Sequence, residues 1–111
     1  MSQTFHQFIS ERGFDRFRSG LEARFTAHGL SYRIVYSESA PVPSLLVRLE
    51  NQERLGEVCV WETGRCELTA SSVADGQFKD EHFVLPSADG FHEHLAAIFR
   101  YVAKRDLSPA A

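Results

Sequence analysis

Residues 55–85 read LGEVCVWETGRCELTASSVADGQFKDEHFVL, and the punctuation of this stretch decides the fold. Three runs rich in apolar and β-branched residues are separated by Thr63-Gly64 and by Asp75-Gly76. Each dipeptide places glycine where a tight hairpin requires a positive φ. The spacing predicts strands over residues 55–62, 65–73 and 78–85, joined by two-residue loops. With Thr63-Gly64 as a tip, Trp61 faces Cys66 and Cys59 faces Leu68. With Asp75-Gly76 as a tip, Leu68 faces Phe83 and Cys66 faces Leu85. The two registers together put Cys59, Trp61, Cys66, Leu68, Phe83 and Leu85 on one face, because side chains alternate along a strand and a one-residue slip exchanges the faces. The other face then holds Val58, Val60, Glu67, Thr69, His82 and Val84, with Glu62, Arg65, Ser71, Phe78 and Asp80 around them. Those valines are either the apolar centre of an exposed patch or the floor beneath the first helix.

Upstream lie two more strands. Residues 31–38 alternate Tyr32, Ile34 and Tyr36 against Arg33 and Val35, and a Pro41-Val42-Pro43 turn leads into residues 45–50. The polar residues 51–54 connect to the central run. The N-terminal region is helical but broken. Phe5, Phe8 and Ile9 form one apolar stripe, and Phe14, Phe17, Leu21 and Phe25 form a second on nearly the opposite side. Gly13 sits at the phase jump, where glycine weakens a helix, and Gly29 is placed to end the second helix. At the other end, Phe91, Leu95, Ile98, Phe99 and Val102 mark a closing helix capped by Ser87 or Asp89, with Lys104 and Arg105 complementing its C-terminal dipole. Residues 107–111 read as a frayed tail. The expected architecture is α+β: an N-terminal helical segment, a five-stranded antiparallel meander sheet, and a C-terminal helix packed on one sheet face, all in a single domain over residues 1–111.

Composition narrows the function. Nine Phe, three Tyr and one Trp supply a core without staples. The net charge of −3 lacks the basic surplus of a nucleic-acid binder. Residues 57–94 carry eight acids against two bases, between mildly basic ends, which is either a solvated sheet face or an electrostatic docking surface. The first residues have no uninterrupted apolar run of the kind that makes a signal peptide, and no stretch approaches the ~20 apolar residues of a membrane span. A cytoplasmic location is expected, with neither nucleic acid nor membrane as partner.

Catalytic apparatus is not legible. His92 and His94 are two apart and diverge on a helix, His6 and His28 have no ligand-spaced partners, and His82 falls opposite Thr69 on the sheet. Zinc requires three or four convergent ligands, so surface histidine accounts for all five and no metal is expected. Cys59 and Cys66, diagonal on one face, are too far apart for an unstrained disulfide and read as buried thiols. Glycine-rich phosphate loops and nucleophile elbows are missing, so no cofactor is expected.

The segment Leu55-Gly56-Glu57-Val58-Cys59-Val60-Trp61-Glu62-Thr63-Gly64-Arg65-Cys66-Glu67-Leu68, followed by the second hairpin and the closing helix, resembles the TriTu-type immunity proteins of bacteria. These are encoded beside polymorphic toxins delivered by type VI secretion. The resemblance implies a non-enzymatic antitoxin whose partner is a cognate toxin, an ADP-ribosyltransferase acting on elongation factor Tu. It implies inhibition by occlusion of the toxin's NAD-binding or target-binding cleft. The residues expected to bind the partner are Glu62, Glu67, Asp80 and His82 on the open face, with Arg65 at the hairpin tip and pairing with Glu62. An alternative is a secretion chaperone or adaptor that holds its substrate on the sheet face, and a small enzyme with an unrecognised site is a third.

Overall fold

The computed structural model describes residues 3–38 and 41–103. Lys104, Arg105 and the tail at 107–111 lie outside the described residues. Helices α1 (Phe5–Ile9) and α2 (Asp15–Ala27) precede strands β1 (Ser31–Ser37), β2 (Ser44–Glu50), β3 (Arg54–Trp61), β4 (Arg65–Ser72) and β5 (Phe78–Val84), and helix α3 (Gly90–Ala103) closes the chain. The strands form one antiparallel sheet in sequential order, β1-β2-β3-β4-β5. This is the expected α+β meander.

The N-terminal break is set by local chemistry. Thr4 and Gln7 form a reciprocal capping box that starts α1. The chain then turns through Arg12 at φ 54° rather than through its glycine neighbour. Arg12 is held there by Tyr36, whose ring lies 4.6 Å beneath the guanidinium, and by Glu38 at 3.5 Å. At the far end of α2, Gly29 (φ 69°) donates to the Thr26 carbonyl and Leu30 to that of Phe25, a Schellman pattern, and Leu30 is buried in the core.

All three helices contribute to a single apolar cluster on one side of the sheet. Phe8, Phe14 and Phe91 meet edge to face at centroid separations of 5.5 to 5.7 Å. Phe91, Leu95, Ile98, Phe99 and Val102 of α3 are buried, matching the stripe read from sequence. The helix lies so close to β3 that a Cβ on Gly56 would stand 2.4 Å from Ile98 Cγ2. Beneath the helices the sheet presents Leu45, Val47 and Leu49 of β2, Val58 and Val60 of β3, and Cys66, Leu68 and Ala70 of β4. The Tyr36 hydroxyl donates to Asp15 at 2.6 Å and fastens β1 to α2.

The first hairpin differs from the two-residue expectation. Val60 pairs with Cys66, Cys59 with Glu67, and Val58 with Leu68, so the loop is the three residues Glu62, Thr63 and Gly64. Gly64 N–H closes it on the Trp61 carbonyl at 2.8 Å, and Gly64 adopts φ 90°, as three-residue hairpins with glycine at their end do. One extra loop residue reverses β3 relative to β4. Cys59 and Trp61 therefore point to the face left uncovered by the described helices, while Val58 and Val60 enter the core. The second hairpin is also longer, closing with Ser72 N–H on the Gln77 carbonyl at 2.9 Å. Cys66 faces Phe83 and Leu68 faces Glu81, rather than Leu85 and Phe83. That shift is of two residues, an even number, so the predicted faces of β4 and β5 stand.

The two cysteines consequently lie on opposite faces of the sheet. Both are free and buried, and burial pushes the Cys59 thiol up to about 11 and that of Cys66 up to about 12.

Candidate functional site

The face away from the helices carries alternate residues of all five strands. Its β3–β5 half is a polar network. Register places Glu67 opposite His82 and Thr69 opposite Asp80; His82 is one pair away from the Thr69 position expected for it. His82 Nδ1 lies 3.0 Å from Glu67, and its Nε2 lies 3.2 Å from Asp80. Thr69 donates to the second oxygen of Asp80 at 3.4 Å. Arg65 extends the chain of contacts, with Nη2 3.6 Å from Glu67 and its guanidinium 5.8 Å from the Trp61 ring centre. It pairs with Glu67 and not, as expected, with Glu62.

Four of the five residues singled out from sequence thus come together: Arg65, Glu67, Asp80 and His82. Glu62 does not join them. Its carboxylate accepts from the Ser10 hydroxyl and lies 3.4 Å from His6 Nδ1, so it ties the β3–β4 hairpin to α1. The odd shift of the hairpin places it in the loop, facing α1 rather than the open sheet.

Apolar groups flank the network. Val84 is 72 % exposed and Phe78 63 % exposed on the edge strand β5. Trp61 and Arg65 border an open depression of about 380 Å³ that Pro41 and Val42 also line. Apolar side chains beside exposed charge are the composition of a protein-docking patch, with Trp and Arg enriched among the residues that carry affinity. Sequence reasoning missed Trp61 as a surface residue, because β3 is apolar on both sides and gives no alternation to read.

The other half of the face, over β1 and β2, carries Arg33 and Arg48, which sequence reasoning did not single out. The alternation of Arg33 against Tyr32 and Ile34 was the available signal.

Histidine is not uniformly superficial. His92 is packed among Phe8, Phe14 and Phe17, with the last ring centre 4.4 Å away. Desolvation there lowers its pKa, against a smaller opposing influence of Asp89. Among the described residues no group of three or more His, Cys, Asp and Glu side chains is placed to hold a metal ion. No helix among them is long and apolar enough to cross a membrane.

A sequence model of the family described as "Immunity protein TriTu" matches residues 3–101. The chain belongs to the TriTu immunity protein family. The match spans both N-terminal helices, the whole sheet and most of α3, and so adds the N-terminal half to the two hairpins and closing helix that carry the resemblance. A comparison with curated proteins finds no match. Membership supports a toxin-immunity role, in which a TriTu protein binds a cognate toxin.

Proposed function

We propose that this TriTu protein neutralises its toxin by docking the uncovered sheet face over it and occluding the cleft in which the toxin works. The toxin is an ADP-ribosyltransferase acting on elongation factor Tu, delivered by type VI secretion, and the inhibitor meets it in the bacterial cytoplasm. The inhibitor acts by binding and carries out no reaction of its own. One observation carries the reading: with every described helix packed on one side of the sheet, the other side presents Trp61, Arg65, Glu67, Asp80 and His82 as a connected, solvent-facing cluster. Charged groups so arranged accelerate encounter and reject partners of the wrong sign.

Co-purification with the product of the adjacent reading frame tests this directly. A stable complex that abolishes ADP-ribosylation of elongation factor Tu is expected. An adjacent product that is no toxin, or that fails to bind at micromolar concentration, overturns the proposal.

A further inference from the structure

Arg33 and Arg48 are direct cross-strand partners on the uncovered face, an arrangement of like charges that opposes strand pairing. Among the described residues neither guanidinium has an ion pair or a side-chain hydrogen bond. Arg48 Nε is buried and has no partner, although a buried polar group left unsatisfied is costly. Glu57, directly opposite Arg48 on β3, does not close on it as an ion pair. The two arginines border a hollow of about 260 Å³ floored by Val35, Leu46 and Cys59, with Glu57 beside Arg48 on the same edge and Ser37 and Ser44 across from them.

We infer that this hollow receives an acidic side chain of the protein partner, gripped by the guanidinium groups of Arg33 and Arg48 on its border. A guanidinium presents a planar fork of donors that matches a carboxylate's two oxygens. The hollow is below the ~300 Å³ at which small-molecule pockets begin, a scale suited to a protruding side chain. A polyanion does not fit the surroundings: a nucleic-acid strand drawn to the arginines would run onto Glu57 and then onto Glu67 and Asp80, in a chain of net charge −3. The docking face is therefore bipolar, cationic over β1–β2 and anionic over β4–β5, with Leu46, Cys59 and Trp61 between. A partner must offer the reverse order of charge, which fixes its orientation as well as its affinity.

This inference rests on the toxin-binding reading above, and the test separates the two. Arg33→Glu, Arg48→Glu and Arg48→Lys are titrated against the toxin domain encoded by the adjacent reading frame. Arg33→Glu supplies a carboxylate opposite Arg48, so it folds at least as stably as the parent while binding at least about tenfold more weakly. Arg48→Glu shows a similar loss, and Arg48→Lys a smaller one, since charge is kept but the fork is gone. If Arg48→Glu does not fold, the exposed Arg33→Glu and the charge-conserving Arg48→Lys carry the test. Folded variants binding within about twofold of the parent, while Glu67→Lys weakens the complex, overturn the inference and leave the toxin-binding reading in place. No complex with the parent protein removes both. Arg48-dependent binding of a single-stranded oligonucleotide, with toxin binding unchanged, also overturns it.

Discussion

Glu67 and His82 stand directly opposite each other on β4 and β5, with carboxylate oxygen and Nδ1 3.0 Å apart. Asp80 occupies the ring's other nitrogen at 3.2 Å. One imidazole thus lies between two carboxylates of the same sheet face, donating to one of them when neutral and to both when protonated. The cluster is partly exposed, so its value to stability is small, in the range of 0–1 kcal/mol for surface pairs. Its ordered charge is better suited to meeting a partner.

Reversing both acids, Glu67→Lys with Asp80→Lys, is therefore expected to weaken the toxin complex by about tenfold or more. Unfolding free energy should change by less than about 1 kcal/mol. Calorimetric titration beside urea denaturation measures both. Unchanged affinity in a folded double variant would move the interface to the helices or loops.

Two glycines should respond to the same substitution with opposite signs. At Gly56 a new Cβ meets Ile98 Cγ2 and Val102 Cγ2 of α3 at 2.4 and 2.9 Å, so Gly56→Ala overpacks the helix–sheet contact and costs about 1–3 kcal/mol. Gly20 lies within α2 with nothing within 4 Å of its would-be Cβ. Gly20→Ala there gains about 0.5–1 kcal/mol. Thermal unfolding should move down by several degrees for the first and up for the second. A stable Gly56→Ala would mean that α3 does not sit on β3 as described.

The order of elements, the N-terminal break and the buried stripe of α3 were legible because each had a strong local signal. Phe91, Leu95, Ile98, Phe99 and Val102 repeat at helical spacing with no competing pattern. The facing of β3 was not legible. Val58, Cys59, Val60 and Trp61 are all apolar, so hydrophobicity could not choose between their two faces, and loop length became the sole arbiter. A two-residue and a three-residue hairpin both accept a glycine after Thr63, yet they differ by one residue and hence by a whole face. The second hairpin was misjudged by two residues and kept its faces. Most of the polar cluster was legible because it sits on β4 and β5, whose faces were right. Trp61 was lost and Glu62 misplaced because they belong to β3 and its loop. Arg33 and Arg48 went unremarked because their meaning depends on the β1–β2 register and on the missing partner of Arg48 Nε.

Cys59 and Cys66 should resist alkylation in the native state. Burial raises both thiols, to about 11 and about 12, so the reactive thiolate is scarce at neutral pH. With iodoacetamide at mildly alkaline pH, mass spectrometry should find the folded protein unmodified and the urea-unfolded chain modified twice. Oxidation should give no intramolecular disulfide, since the side chains point to opposite sides of the sheet. Rapid labelling of Cys66 in the native protein would contradict its place beneath the helices.

Acid should loosen the helical layer through His92. Its ring is enclosed by Phe8, Phe14 and Phe17, and desolvation holds its pKa below the ordinary value of 6.5. In the unfolded chain the ring titrates near that ordinary value. Between the folded and unfolded pKa values, then, the unfolded state binds the extra proton, and stability rises with pH. The contribution of His92 is fully present above about pH 6.5 and is lost as pH falls toward the folded pKa. Urea midpoints should decline from neutral pH to mildly acidic pH in the parent protein. His92→Phe, which keeps the ring but cannot charge, should show a shallower decline over the same interval. Groups that do not touch the ring are common to both proteins, so the difference between the two profiles isolates His92 together with its interaction with Asp89. Parallel profiles would show that His92 is accessible to water when folded and that the aromatic enclosure around it is looser than the ring separations indicate.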